Sequence, residues 1–198
     1  PEGTYMGNVQ GLSHAGVTDL FSAGNNLDDV FSQIDAPNGK GRELGLGVNT
    51  NFVDINVGSG SSNPKEFTLL ARAGGNKVFF SANNGNNGRE LWVADPNGSN
   101  LTMIDIYQGI NSSNPTNFVD MGNGWMSFSA MTLEYGQELW LSDGTAANTF
   151  MLKDINLYTN SSFPSFITQI AANNVAPALT GSVATLSGLE DTNNIIQT

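Results

Sequence analysis

Three copies of one segment limit what this chain can fold into. Gly136-Gln137-Glu138-Leu139-Trp140-Leu141-Ser142-Asp143-Gly144-Thr145 is preceded by Gly88-Arg89-Glu90-Leu91-Trp92-Val93-Ala94-Asp95. Further upstream stands the reduced copy Gly41-Arg42-Glu43-Leu44-Gly45-Leu46. The Glu-Leu pairs lie 47 and 48 residues apart. The Asp-Ile pairs at Asp54, Asp105 and Asp154 are spaced by 51 and 49, and Pro64, Pro115 and Pro164 repeat those intervals. Phe80 and Phe128, each inside a Phe-Ser-x or Phe-Ser-Ala run, are 48 apart. Independent markers with one period near 48 define an internal repeat, whose units bury their apolar faces by stacking on their neighbours.

Each repeat reads as four short strands. In the third copy, Asn117 to Met121 is the first, ended by the turn Gly122-Asn123-Gly124. Trp125 to Ala130 is the second, with Met126, Phe128 and Ala130 on one face and Ser127 and Ser129 on the other. Glu138 to Ser142 is the third, with Leu139 and Leu141 expected inward and Trp140 opposite; Asp143-Gly144 turns the chain into a fourth strand, Thr149 to Ile155. Asn-Gly and Asp-Gly turns at this spacing describe an antiparallel meander.

The first repeat departs from the pattern. If Leu20-Phe21-Ser22-Ala23 is its second strand, an insertion separates it from Glu43. Within that insertion Leu27, Val30, Phe31 and Ile34 share a helical face, Asn26 is placed to cap it, and Asp28 and Asp29 fall in its first turn. This predicts one short helix. Gly45 stands where the later copies have Trp92 and Trp140, as a terminal unit without a neighbour would allow.

The net charge of −11 comes from a chain in which only 13% of residues are charged, so the acids are unopposed, not dense. Such a surface argues against nucleic acid and against anionic membranes, and it favours divalent cations, calcium first. No apolar run reaches the length of a membrane span, which argues against membrane insertion. The absence of Cys excludes disulfides and thiolate metal sites. A first residue other than Met suggests a processed protein or an excised fragment.

Glu138 to Thr145, followed by Lys153-Asp154-Ile155-Asn156 and Ser161-Ser162-Phe163-Pro164, resembles the ELWxxDGT repeat of large bacterial extracellular proteins, whose units resemble β-propeller blades. The copy at Glu90 matches through Trp92 but has Asp95-Pro96-Asn97-Gly98 in place of the Asp-Gly-Thr turn. The resemblance covers residues 40–170 and brings no catalytic residues with it. Ala176-Pro177-Ala178-Leu179-Thr180-Gly181 and Gly188-Leu189-Glu190-Asp191-Thr192 are similar to the opening of cadherin-like tandem domains of bacterial adhesins. Both resemblances imply a secreted or cell-surface location.

Several residues are candidates for chemistry. Glu43, Glu90 and Glu138 suit hydrogen bonding to a neighbouring turn better than acid–base catalysis, which requires two carboxylates converging on a substrate. Asp54, Asn56, Asp105, Asp154 and Asn156 place oxygens at strand ends, where they cap turns or ligate Ca²⁺. Trp92 and Trp140 pack between sheets or form platforms for sugar rings. His14 is the sole histidine and has no nucleophile motif near it.

The expected fold is all-β. A blade-like repeat domain spans residues 1–170, with repeats at about 15–60, 61–111 and 112–170, and a linker and extended tail occupy 171–198. Three blades are too few to close an ordinary propeller. The expected function is therefore a non-enzymatic structural or adhesive module that works through self-association or strand exchange, with Ca²⁺ as a stabiliser. A homo-oligomer, a filament, or further domains of a longer chain would satisfy its open surfaces. A carbohydrate-binding module with aromatic platforms is the alternative.

Overall fold

The computed structural model describes residues 16–48, 51–165 and 167. His14, the linker and the tail with its adhesin-like stretches lie outside the described residues. Within them, twelve strands form three four-stranded antiparallel sheets, each a meander of consecutive strands. Blade 1 is β1 (Thr18–Ser22), β2 (Val30–Asp35), β3 (Arg42–Leu46) and β4 (Phe52–Val53). Blade 2 is β5 (Lys65–Leu70), β6 (Lys77–Asn83), β7 (Arg89–Ala94) and β8 (Thr102–Ile104). Blade 3 is β9 (Thr116–Asp120), β10 (Met126–Thr132), β11 (Gly136–Ser142) and β12 (Thr149–Lys153). Helical structure among these residues is limited to the 3₁₀ turns Pro37–Gly39 and Ala146–Asn148.

The helix expected near Asn26–Ile34 is not formed. Val30–Asp35 is β2, paired with β1 on one side and β3 on the other. Apolar residues at 27, 30, 31 and 34 fit a helical face, but Val30, Ser32 and Ile34 also alternate with Phe31 and Gln33. Two strand partners satisfy the backbone groups of β-branched residues that fit a pleated surface better than a helix. The presumed cap closes a turn instead: the Asn26 Nδ2 donates to Asp29 Oδ2 at 2.9 Å, and Ala23 N to the Asp29 carbonyl at 2.7 Å.

This pairing removes the supposed insertion. Gln33, Ser81 and Ser129 occupy one position, opposite Leu44, Leu91 and Leu139. Val30-Phe31-Ser32-Gln33 is thus the true counterpart of Val78-Phe79-Phe80-Ser81, again 48 residues away. Phe21 belongs to the first strand of its blade, not the second. That first strand carries the same irregularity in every blade, a break in register beside a residue with positive φ: Asp19, Glu66 and Asn117 at 51°, 65° and 59°. Repeated bulges of this kind bend a strand and strengthen its twist.

The blades stack face to face. Phe31, Leu44, Leu46 and Ile55 of blade 1 meet Val78, Phe80, Ala82, Ala94 and Trp92 of blade 2. The opposite face of blade 2, with Phe79, Leu91, Val93 and Ile104, meets Phe118, Met126, Phe128, Ala130 and Trp140 of blade 3. Ring pairs run through both layers, Phe67–Phe80 at 5.3 Å and Phe118–Phe128 at 5.4 Å between centroids. Phe79, Phe80 and Phe128 are fully buried, and each such side chain stabilises the stack by roughly 2–3 kcal/mol.

One facing differs from expectation. Trp140 points toward blade 2, whereas Leu139 and Leu141 lie on the outer face of blade 3 and are only half buried. The explanation offered for Gly45 also changes. A Cβ there would lie 2.3 Å from Ser32 Oγ and 3.4 Å from Ile34 Cγ2, and Ser32 and Ile34 are themselves buried. The Ser32 hydroxyl occupies the room that a side chain at position 45 would take.

Candidate functional site

The most distinctive polar feature is built three times, around the glutamate of each third strand. Glu43, Glu90 and Glu138 are all 0% exposed. A carboxylate this deep must be hydrogen-bonded. Glu90 accepts through Oε2 from the backbone N–H of Ile106 (2.9 Å) and Tyr107 (3.3 Å). Its Oε1 accepts from Ser113 N (2.7 Å), and the Ser113 hydroxyl donates to Oε2 at 2.6 Å. Glu43 accepts from Ile55 N, Asn56 N and Ser62 N at 2.8, 3.2 and 2.9 Å. Glu138 accepts from Ile155 N, Ser162 N and Ser162 Oγ at 3.0, 2.9 and 2.7 Å.

Each glutamate therefore clips two segments onto its own strand: the Asp-Ile turn after the fourth strand, and the Ser-Ser-x-Pro strap that leads onward. The residue two places before each glutamate is Gly41, Gly88 or Gly136, with φ of 78°, 72° and 64°. A Cβ at Gly88 would sit 2.2 Å from the Asn111 carbonyl oxygen and 2.5 Å from Ser112 Oγ. The intervening residue donates its N–H to the strap: Arg42 to Ser61 Oγ (2.9 Å), Arg89 to Ser112 Oγ (2.8 Å) and Gln137 to Ser161 Oγ (2.9 Å).

The strap is shared. The Ser62 carbonyl accepts from Asn83 N at 2.9 Å, and the Ser113 carbonyl from Met131 N at 2.8 Å. Asn83 and Met131 belong to the second strand of the following blade. One glutamate thus fixes the end of its own blade and, through the strap, the start of the next. The serines Ser62, Ser113 and Ser162 were visible in the sequence only as markers of the period. Their hydroxyls, 51 and 49 residues apart and each two residues before a proline, were the available signal.

Charge in this site is set by burial. Burial raises the Glu90 carboxyl above its ordinary value, against hydrogen bonds from Ser113, Ile106 and Tyr107 that lower it. The folded state consequently binds this proton more tightly than the unfolded chain does. Glu90's contribution to stability is greatest below the ordinary glutamate range and declines as pH rises through the raised folded value. Asp95, held by Lys77, Asn100 and Ser99, shifts downward. So does Asp143, where hydrogen bonds from Thr145 and Asn148 outweigh burial. Their contribution is present above the ordinary aspartate range and is lost as pH falls through the depressed values. Urea denaturation of wild type and Glu90→Gln between acid and neutral pH separates these effects. The stability gap between the two proteins is expected to widen as pH falls, because the variant lacks the proton-linked gain.

The calcium candidates are placed at three equivalent turns. In Asp54, Asp105 and Asp154, Oδ1 is buried without a hydrogen-bond partner. The second oxygen is engaged by Lys40 Nζ at 2.6 Å, Asn87 Nδ2 at 2.8 Å and Tyr158 N at 3.1 Å respectively. Asn56 and Asn156 turn their Nδ2 groups to the Ser61 and Ser161 carbonyls at 3.3 and 3.0 Å. Among the described residues no three acidic or histidine side chains come together as a metal cage. In blades 2 and 3 each orphan oxygen is a single candidate cation ligand, with no cationic side chain bonded to its carboxylate. The equivalent oxygen of blade 1 fits poorly, because a lysine already neutralises Asp54.

Leu91, Trp92 and Trp140 serve the stack, whereas Leu139 lies on the outer face of blade 3. Trp92 is stacked with Phe80 at 6.4 Å between centroids and donates its Nε1–H to the Ala82 carbonyl at 3.2 Å. Asp143 and Gly144 form the turn after β11, where Thr145 N and Oγ1 donate to Asp143 Oδ1 at 2.9 and 2.7 Å. Arg72 of blade 2 donates to the Asp143 carbonyl, tying that turn across the interface.

The fold and this site define an all-β protein of three stacked blades, each closed by a buried glutamate. Comparison with family models, curated proteins and solved structures found no match to the chain.

Proposed function

We propose that this protein is a structural or adhesive module of an extracellular bacterial assembly, acting through self-association and not through catalysis. The observation that carries this reading is the use made of the acidic side chains. All three recurring glutamates are committed to backbone donors inside the fold, while among the described residues the apolar outer face of blade 3 stays half open. The resemblance to ELWxxDGT repeats supports an extracellular setting. Negative-stain microscopy and light scattering of the intact chain test the reading; a compact monomer at all concentrations overturns it.

Calcium is a stabiliser in this proposal, held at the Asp105 and Asp154 turns. With calcium tenfold above its dissociation constant, one site adds about 1.4 kcal/mol. The melting temperature then rises by about 4 °C for a chain of this size. Differential scanning calorimetry with calcium and with chelator is expected to give that rise in wild type and a smaller one in Asp105→Asn. No rise in wild type removes calcium from the proposal. The glycan alternative draws on aromatic platforms, and two candidates for that role, Trp92 and Trp140, pack partly buried between blades.

A further inference from the structure

We propose that the outer face of blade 3 is a docking surface for a second copy of this chain, and that the two copies pair through it as a closed two-fold dimer. The inference deepens the self-association reading and rests on it.

The repeat itself identifies the face. Leu46, Val93 and Leu141 are equivalent positions, opposite Phe31, Phe79 and Ser127. A Cβ on Gly98, in the turn of blade 2, would lie 2.6 Å from Leu46 Cδ1, so that turn presses on blade 1. A Cβ on Gly144, in the turn of blade 3, would lie 3.3 Å from Val93 Cγ1. Leu141 is the third member of this series, and among the described residues no turn lies above it. The Asp-Ile positions repeat the trend. Ile55 is 6% exposed beneath blade 2, Ile106 packs against blade 3, and Ile155 is 55% exposed. Leu152 is likewise 51% exposed. The face that blades 1 and 2 each cover with a neighbouring sheet has no such sheet on blade 3 among the described residues.

Two observations select a second copy in a closed pair. The depression on this face is lined by Met121, Asn123, Trp125, Ser127, Leu139, Leu141, Leu152 and Ile167, with no charged side chain among them. Copies that each carry a net charge of −11 meet here with least repulsion. The opposite end is closed, because Val30, Ser32 and Ile34 on the outer side of blade 1 are 6%, 4% and 5% exposed. Among the described residues one outer face of the stack is open and the other closed, so association through the open face does not propagate head to tail and stops at two. Four strands of about five residues offer roughly 300 Å² of face, well under the ~800 Å² per partner of a standard interface. The dimer is therefore weak, dissociating on the order of 10–100 µM.

Sedimentation velocity of the intact chain from low to high micromolar concentration tests this. The variants are Leu152→Asp, whose site is exposed enough to leave folding intact, and Leu141→Asp. Leu27→Asp, at a position 66% exposed in the β1–β2 turn, is the control. Circular dichroism verifies that each is folded. A monomer–dimer equilibrium in wild type and in Leu27→Asp, weakened at least tenfold by Leu152→Asp, is the expected result. A dimer untouched by either face variant overturns the assignment of the surface and leaves self-association standing. Growth beyond dimers overturns the closed pair alone. A monomer at every concentration overturns both.

Discussion

Replacing Glu90 with alanine is expected to lower the stability of the protein by about 4 kcal/mol. The carboxylate receives three backbone N–H groups and one hydroxyl. Its removal strands these donors, fully buried at Ser113 and partly buried at Ile106 and Tyr107, and each unsatisfied buried group costs about 1–3 kcal/mol. The full sum is not reached, because the Ser113 hydroxyl can rotate and the turn at Tyr107 can relax outward. For a chain of this size the melting temperature falls by about 8–16 °C. Glu90→Gln retains the volume but offers one acceptor where two are needed, and its amide N–H₂ points at a donor, so it recovers little. Glu134→Ala removes an exposed glutamate in the β10–β11 turn and is expected to change stability by no more than about 0.5 kcal/mol. Thermal melts of the three variants decide the matter: equal losses at positions 134 and 90 would mean that the buried carboxylate holds nothing together.

Much of this fold was legible because the repeat markers are long-range and independent. Strands β9 to β12 match the expected boundaries to within two residues, since Gly and Asn punctuate them. Blade 1 was harder to read because two segments compete for one role. Leu20-Phe21-Ser22-Ala23 copies the residue types of Phe79-Phe80-Ser81-Ala82, whereas the true counterpart has Gln33 and Ile34 in place of Ser81 and Ala82. Spacing of 48 was the better guide, and composition the worse one. The face of a strand is legible as a period of two, but which neighbour each face meets is not. Leu139 and Trp140 were correctly set on opposite sides, and only the stacking order reveals that tryptophan faces the preceding blade.

The glutamate latch was half legible for a related reason. The position of Glu90 repeats, and that marks it as architectural. Its partners are chiefly backbone N–H groups, which every residue but proline carries, so nothing in the sequence names Ile106 or Tyr107 as donors. Only the serine hydroxyls leave a trace. The same limit applies to the calcium candidates, where Asp105 could be located as a turn residue but its unpartnered oxygen belongs to the folded geometry alone.

Gly88→Ala is expected to cost about 3–4 kcal/mol, comparable to deleting a buried side chain from the core. Two effects combine at this position. The backbone φ of 72° is left-handed, which alone costs a residue with a Cβ about 1 kcal/mol. The added carbon would also lie 2.2 Å from the Asn111 carbonyl oxygen, a backbone atom of the strap that cannot rotate away. Relief requires the strap to move off β7, and that movement lengthens the bonds from Ser113 to Glu90. Gly109→Ala is the matched control: its φ is 93°, yet a Cβ there meets nothing within 4 Å, so only the conformational cost of about 1 kcal/mol remains. The coupling follows from the shared strap. Once Gly88→Ala has lifted it, Glu90→Ala has fewer contacts to remove, and the double variant should lose about 1–3 kcal/mol less than the sum of the singles. Denaturant titration of the four-protein cycle measures this directly. Strict additivity would mean that the glycine and the glutamate hold separate structures, and that the strap is not the element joining one blade to the next.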